Sequence, residues 1–324
     1  MKPLKIFSDL PLDAAALTLL TNGVAPHEVV LPARRAESVL AQSGFDPAFA
    51  DADIAFGQPG ADSVRQSPRL RWLHLASAGF TRFDTPEFRA EAVRRSLLVT
   101  NSSSVYAGPC AEHVFAFMLA QARQLPAALA SHYANGSAPW NELRNSCASL
   151  SRQKVVLLGY GAIAIRLVEL LQPFQMDLVA YRRQARGDEG IPIVAAGQLS
   201  AALSAADHVI NILPDNPESR HFFSAERFAA LKAGAVFYNI GRGTTVDQSA
   251  LLATLQSGRL AAAWLDVTDP EPLPVDHPLR AVPNCHITPH IAGGHQHESE
   301  SLVRHFLDNF RQFVAGAPLR DRIM

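Results

Sequence analysis

Chemistry in this chain could come from two sets of residues. The first is Gly159-Tyr160-Gly161-Ala162-Ile163-Ala164, entered by the apolar run Lys154–Leu158 and left by a helix-patterned segment carrying Ile165, Leu167, Val168, Leu170 and Leu171. In that strand–turn–helix setting, G-x-G-x-x-G/A is a dinucleotide fingerprint and not a chance string. Gly159 permits the tight turn, Gly161 lets the backbone approach a pyrophosphate, and Ala164 is small enough for the helix to lie close on its strand. The amides of Gly161, Ala162 and Ile163 present the positive end of the helix to phosphates. The second set lies further on, where three strand-like runs end. Asn239-Ile240-Gly241-Arg242-Gly243 follows one, Asp266 and then Glu271-Pro272 the next, and Thr288-Pro289-His290 the last. A planar fork of donors suits a carboxylate, and an imidazole can give or take a proton near neutrality. Parallel sheets bind ligands at such carboxyl ends of strands.

The second strand of the nucleotide unit bears on which dinucleotide is bound. An acidic side chain usually ends it and accepts hydrogen bonds from the adenosine ribose. Here Asp177–Tyr181 runs into Arg182 and Arg183, with no acid at its apolar tip. Free ribose hydroxyls want an acceptor, whereas a 2′-phosphate wants a cation, and guanidinium is the better-shaped one. NADP(H) is therefore the expected cofactor, with NAD(H) as the second option. The competing reading is a solvated arginine pair, since Gln184 and Arg186 keep the neighbourhood polar and basic anyway.

Placing these residues takes alternating strands and helices. Strands are expected at Leu4–Ser8, Glu28–Leu31, Ile54–Phe56, Trp72–Leu75 and Leu97–Thr100, with Ala/Leu-rich segments such as Leu12–Leu20 between them. Further strands are expected near Lys154–Leu158, Asp177–Tyr181, His208–Leu213, Ala235–Ile240, Leu260–Val267 and Cys285–Thr288. Such alternation implies parallel sheets with helical crossovers. A helix opened by Pro109 carries an apolar face of Val114, Phe115, Phe117, Met118 and Leu119. Ser137–Gln153 reads as a polar loop, and Glu298–Val314 as an amphipathic helix built on Leu302, Phe306, Phe310 and Phe313.

The 324 residues suffice for two domains with real cores. Lys and Arg (29) nearly balance Asp and Glu (30), so no global basic field points to nucleic acid or an anionic membrane. The 3 cysteines, Cys110, Cys147 and Cys285, are far apart and lack a C-x-x-C pattern, which suggests a reducing compartment and argues against zinc. The start of the chain lacks the apolar core of a signal peptide, and the apolar stretch around Val114–Ala120 is too short to cross a bilayer. A cytoplasmic protein with no membrane partner is expected.

Taken together, these motifs resemble the D-isomer-specific 2-hydroxyacid dehydrogenases, most closely their glyoxylate/hydroxypyruvate reductase-like branch. The resemblance rests on Val155–Ala164, Leu213-Pro214, Asn239–Gly243 with Val246-Asp247, Leu265-Asp266-Val267 to Glu271-Pro272-Leu273, and Thr288-Pro289-His290-Ile291-Ala292-Gly293. Ser77-Ala78-Gly79 is similar to the family's substrate loop, Ala111-Glu112 to the start of its inter-domain helix, and the ending Gly316-Ala-Pro-Leu also fits. Ala164 in place of the third glycine is tolerated. Arg182, where NAD-using members carry an acid, is the departure that matters.

The resemblance implies an α/β protein of two doubly wound parallel-sheet domains. A Rossmann cofactor domain (104–291) would be inserted into a flavodoxin-like substrate domain (1–103 plus 292–324). It implies catalysis by Arg242, Glu271 and His290, substrate binding by Arg242 and the amides of Ser77, Ala78 and Gly79, and cofactor contacts from Gly159, Tyr160, Gly161, Ala162, Ile163, Arg182, Arg183, Leu213, Pro214, Ile240 and Asp266. Arg242 would hold the carboxylate of a 2-oxo acid and polarise the ketone. His290 would protonate the developing alkoxide while Glu271 orients its ring. Asp266 would bind the nicotinamide carboxamide. The expected product is the D-2-hydroxy acid, and the family suggests a homodimer with a contact on the Val114–Leu119 stripe, which is otherwise core.

Blander alternatives stand beside these. His286 and His290 are four apart, but Pro289 and the strand context exclude the helical face that metal ligation at this spacing needs. His295 and His297 read as a solvated helix start beside Glu298 and Glu300, so no metal is expected. Ser102–Ser104 has no identifiable base for a nucleophilic serine. A non-enzymatic dinucleotide-sensing scaffold of the corepressor type, or a dehydrogenase of another small anion such as formate or phosphite, remain the alternative functions.

Overall fold

Short runs of Val, Ile, Leu and Phe make the strands, and most are buried on both faces, as parallel sheets covered by helices require. The computed structural model of the protein describes residues 2–33, 41, 44 and 46–324. The chain divides into two compact units, Met1–Tyr106 with Gly294–Met324, and Ala107–Gly293. The second is therefore an insertion in the sequence of the first.

In the first unit the strands are β1 (Lys5–Ser8), β2 (Glu28–Val30), β3 (Ile54–Gly57), β4 (Trp72–Leu75) and β5 (Leu98–Thr100). Among the described residues they form a 5-stranded parallel sheet in the order β2-β1-β3-β4-β5. One face is closed by the helix Glu298–Ala315, whose Phe306 stacks on Trp72 (centroids 5.0 Å apart) and on Phe56 (4.4 Å). Each such buried ring contributes roughly 1.5–3 kcal/mol relative to an exposed one. The other face holds Phe7, Phe49, Leu73, Phe83, Phe88 and Val99.

The second unit has β6 (Lys154–Leu158), β7 (Asp177–Tyr181), β8 (Ile193–Val194), β9 (His208–Asn211), β10 (Ala235–Asn239), β11 (Leu260–Leu265) and β12 (Cys285–Ile287). Among the described residues these make a 7-stranded sheet, β12-β11-β10-β9-β6-β7-β8, with every pair parallel. The chain leaves β6 in one direction for β7 and β8 and returns on the other side for β9. That reversal is the switch point of a doubly wound sheet, where the ends of two adjacent strands splay and open a crevice.

Two expectations need correction, and one strand is additional to those expected. The helix read as opening at Pro109 spans Ser103–Ala122, with Pro109 inside it. Its start is fixed by side chains that accept from its first amides, Asn101 Oδ1 from Ser103 N (3.2 Å) and Asp321 Oδ2 from Ser104 N (2.8 Å), so the helix begins before the proline and absorbs one missing bond. Ser137–Gln153 is not all loop, because Ala138–Ser146 is helical, capped by the Ser137 hydroxyl and with a proline in its first turn. Its polar composition hid it, since none of its residues is buried. The two-residue edge strand β8 was not anticipated. Among the described residues no helix is long and apolar enough to cross a membrane.

Candidate active site

The crevice at the β6/β9 switch point is a cavity of about 680 Å³ lined by Gly159, Tyr160 and Gly161 on one side, Leu213 and Pro214 on another, and Arg182 with Arg183 at one end. Gly159 adopts φ +97, a value L side chains rarely reach, so the turn itself selects glycine. Gly161 is the N-cap of the helix Ala162–Leu171 and offers no side chain to its amides, and a Cβ added there meets nothing within 4 Å. The helix end thus faces open space with its donors uncapped, as a pyrophosphate site requires. Ala164 is fully buried. Uncapped amide donors beside an open crevice fit the pyrophosphate of a dinucleotide.

Arg242 follows β10 in a loop held from below. Asn239 Oδ1 accepts from Gly241 N (3.1 Å) and from Asn211 Nδ2 (3.0 Å), and Asn239 Nδ2 donates to the Arg242 carbonyl (3.2 Å). Thr245 Oγ1 donates to the same carbonyl (2.6 Å) and accepts from Asn211 Nδ2 (2.7 Å). Asn211, Asn239 and Thr245 are buried, so this is a satisfied polar network that fixes one loop conformation. The guanidinium is half-buried, and its Nη1 donates to the Gly241 carbonyl (2.7 Å). Among the described residues Arg242 has no carboxylate in ion-pair contact. The glycines flanking Arg242 answer to backbone packing. A Cβ on Gly241 would lie 2.6 Å from the Leu213 carbonyl oxygen, and one on Gly243 2.0 Å from the Thr268 carbonyl, so neighbouring backbone fills that space.

The next two strand ends join this rim through the backbone. Asp266 N donates to Asn239 O (2.9 Å), and His290 N donates to Asp266 O (2.9 Å). Two strand spacings of roughly 4.8 Å separate the outer loops, placing the Arg242 and His290 backbones on the order of 10 Å apart. His290 sits at φ +52, in the left-handed region, a locally unfavourable backbone that the surrounding bonds enforce. Its Nδ1 donates to Glu271 Oε1 in a short hydrogen bond. With 34% of the His290 side chain and 38% of the Glu271 side chain exposed, the ring's other nitrogen is reachable from solvent.

Asp266 is 1% exposed at its side chain, and its carboxylate accepts from Thr288 Oγ1 (2.6 Å), Ile291 N (2.9 Å) and Ala292 N (2.9 Å). Its visible work is to pin the turn that carries His290. His113 stands beside it, Nε2 at 3.6 Å from Oδ1 and 3.3 Å from Thr288 Oγ1. Burial pushes the Cys110 thiol up to about 12, Asp266 adding to the effect and Arg242 opposing it, so this rim holds a neutral thiol.

In the other unit, Ser77, Ala78 and Gly79 leave the end of β4. Ser77 Oγ donates to Gly79 O (2.7 Å) and Asn101 Nδ2 to Ala78 O (2.7 Å), which shapes the loop from its carbonyl side. Among the described residues the three amides have no intramolecular acceptor. Ser102 does have a histidine nearby, contrary to the sequence reading, with Oγ 3.3 Å from His74 Nε2. Both are 0% exposed and the hydroxyl donates to Leu75 O (2.8 Å), so no nucleophile results. His286 packs on Trp264 (4.1 Å), His295 Nδ1 is enclosed without a partner among the described residues, and His297 is exposed. Among the described residues no group of three or more His, Cys, Asp or Glu could hold a metal ion.

Sequence reasoning missed Asn211, Thr245, His113 and Glu189. Asn211 had a legible signal, a lone amide at the tip of an otherwise apolar run. Glu189 had none, because it acts across a loop, its Oε1 accepting from Arg182 Nη1 at 3.1 Å.

Comparisons with known proteins agree with this architecture. Residues 115–292 match the family described as D-isomer specific 2-hydroxyacid dehydrogenase, NAD binding domain. Glyoxylate/hydroxypyruvate reductase B of Citrobacter koseri is 33% identical over 278 residues, covering 83% of this chain and 83% of the relative. The human glyoxylate reductase/hydroxypyruvate reductase is 31% identical over 231 residues, 71% of this chain and 70% of its own. A D-isomer specific 2-hydroxyacid dehydrogenase from Xanthobacter autotrophicus, solved with NADPH and MES, superposes with a TM-score of 0.77 at 25% identity, over 99% of this chain and 98% of that one. The chain therefore belongs to the D-isomer specific 2-hydroxyacid dehydrogenase family, in its glyoxylate/hydroxypyruvate reductase-like branch, and is an NAD(P)-dependent oxidoreductase.

Proposed function

We propose that the protein reduces a small 2-oxo acid of the glyoxylate or hydroxypyruvate kind to the D-2-hydroxy acid, preferring NADP(H) to NAD(H). The observation that carries this reading is the rim itself: a half-buried Arg242 without an acid partner among the described residues, backbone-linked through Asp266 to a His290 already bonded to Glu271. The names of the curated relatives point to the same substrates.

When bound, the dinucleotide supplies the hydride. Gly159–Ile163 hold its pyrophosphate, Arg182 and Arg183 its adenosine end, and Leu213, Pro214 and Ile240 flank it. Arg242 holds the substrate carboxylate with its free donors and polarises the carbonyl oxygen, a task for which an unpaired guanidinium is suited and an ion-paired one is not. The amides of Ser77, Ala78 and Gly79, turn donors of the kind that hold anions, are the substrate contacts proposed for the other unit. His290 delivers the proton to the oxygen from Nε2, because Nδ1 is committed to Glu271. Asp266 keeps that ring on its turn and offers its remaining acceptor capacity to the carboxamide.

A panel of 2-oxo acids assayed with NADPH and NADH in parallel tests this. Arg242→Ala should raise KM and lower kcat, and His290→Asn should lower mainly kcat, by about 10²–10⁴-fold for loss of a general acid. No turnover of any 2-oxo acid would favour the scaffold reading, and activity indifferent to His290→Asn would favour formate or phosphite. We also propose a homodimer. The Val114–Leu119 stripe expected to mediate it is largely core, with Val114 and Met118 0% exposed, but Leu129 (82% exposed) and Tyr133 (50%) follow it on an uncovered segment. Sedimentation of the wild type against Leu129→Glu checks this, and an unchanged monomer in both would discard it.

A further inference from the structure

We propose that Glu189 is the positioning residue for phosphate recognition at the adenosine end of the cofactor site, acting through Arg182. This rests on the assignment of Arg182 to the 2′-phosphate made above. The acid missing from the tip of β7 is present after all, 7 residues beyond Arg182 and turned to a different use. Glu189 Oε1 accepts from Arg182 Nη1 (3.1 Å) and from Arg186 N (2.6 Å), and Oε2 accepts from Gly187 N (2.8 Å). Its own carbonyl accepts from the Tyr160 hydroxyl (2.5 Å), which ties the loop to the glycine turn. One residue thus joins the strand end, the loop and the pyrophosphate turn.

The placement decides what the carboxylate does. Tyr160, Arg182, Arg183 and Gln184 line the cavity, and Glu189 does not. Its side chain is 4% exposed against 18% for Arg182, so the acid stands behind the guanidinium instead of presenting acceptors to a ribose. The amides of Arg186 and then Gly187, with Arg182, hold its carboxyl below the ordinary range, so it is ionised wherever the enzyme works. A guanidinium carries five donors in a rigid fork. Fixing one on Glu189 orients the others before a ligand arrives, which lowers the ordering cost of binding. Arg183 lacks such a support: its contact to Glu218 is 3.6 Å long, and the two side chains are 71% and 68% exposed. The structure therefore assigns the phosphate preference to the Arg182–Glu189 pair.

Calorimetric titration of the full-length apoprotein with NADPH, NADH, adenosine 2′,5′-bisphosphate and 5′-AMP tests the idea without turnover. Glu189→Ala should weaken NADPH and the bisphosphate about tenfold, while NADH and 5′-AMP change less than about twofold. Glu189→Gln, which keeps an acceptor at the same reach, should recover part of the loss. Equal weakening of all four ligands would reduce Glu189 to a structural loop residue, and tighter NADPH binding would mean that its charge opposes the phosphate. Either result overturns the proposal. Arg182→Ala separates the two levels: if it leaves the NADPH/NADH ratio unchanged, the assignment of Arg182 itself falls. If it abolishes the preference while Glu189→Ala does not, only the role of Glu189 falls.

Discussion

Two glycines of this site look equivalent in the sequence and are opposite in the structure. A Cβ on Gly243 would sit 2.0 Å from the Thr268 carbonyl carbon and oxygen, which are backbone and cannot rotate away. Gly243→Ala should therefore lower stability by about 1–3 kcal/mol, the usual cost of overpacking, and displace Arg242 with a large loss of kcat/KM. A Cβ on Gly161 meets nothing, so Gly161→Ala should melt at the wild-type temperature. The added methyl would instead occupy the approach of the pyrophosphate and raise the dinucleotide KM by about tenfold, a lost interaction of roughly 1.4 kcal/mol. Thermal denaturation beside steady-state kinetics distinguishes the pair. A destabilised Gly161→Ala, or one with unaltered dinucleotide affinity, would remove the pyrophosphate from the place given to it here.

At the scale of elements, the sequence betrayed the strands because burial on both faces leaves long apolar runs, and it betrayed their ends because Asn239, Asp266 and His290 interrupt those runs abruptly. Helices were less legible where tertiary contacts override local rules. Pro109 marks a helix start in isolation, yet Asn101 and Asp321, the latter 217 residues from Ser104, supply acceptors that move the start earlier. Ser137-Ala-Pro was a readable cap, but an uncovered helix has no apolar face to announce it. The loop of Arg242 shows what such element ends carry. Asn239 accepts from Gly241 N and Asn211 Nδ2 and donates to the Arg242 carbonyl at the buried end of β10, and shares the last two partners with Thr245. Asn239→Ala should reduce the free energy of unfolding by about 1–3 kcal/mol, since it leaves the buried Gly241 amide without its acceptor. Urea titration measures that loss, and kinetics should show the KM for the 2-oxo acid rising more than that for the dinucleotide. A variant with wild-type stability would mean that Thr245 and Asn211 suffice to hold the loop.

Across the whole molecule the charges nearly cancel, with 29 basic and 30 acidic residues, so pH dependence of stability falls to individual buried groups. Histidines dominate. Burial lowers the pKa of His74, His113 and His286, and takes His208 from 6.5 to about 4. His74 shows why the neutral form is required. The Thr100 hydroxyl accepts from Trp72 Nε1 (2.9 Å) and is free to donate to His74 Nδ1 (2.6 Å), while Nε2 faces the Ser102 hydroxyl (3.3 Å) that donates to Leu75 O (2.8 Å). A second ring proton would have to break that chain. His208 is likewise enclosed between the Tyr238 hydroxyl (3.0 Å) and Gln153 Oε1 (2.5 Å). Because these folded-state values lie below the unfolded one near 6.5, the unfolded chain binds more protons once the pH drops under it. Stability is then complete above about pH 6.5 and declines as the pH falls toward the folded values, by roughly 1.4 kcal/mol per unit for each group. For His208 the window runs from 6.5 to about 4, a contribution of at most about 3 kcal/mol. Unfolding free energies from denaturant titrations should therefore fall between pH 6.5 and 4.5, ahead of most carboxylate protonation. The His208→Gln variant should show a shallower slope by close to one proton, and a wild type equally stable at both pH values would contradict the neutral histidines inferred from their burial.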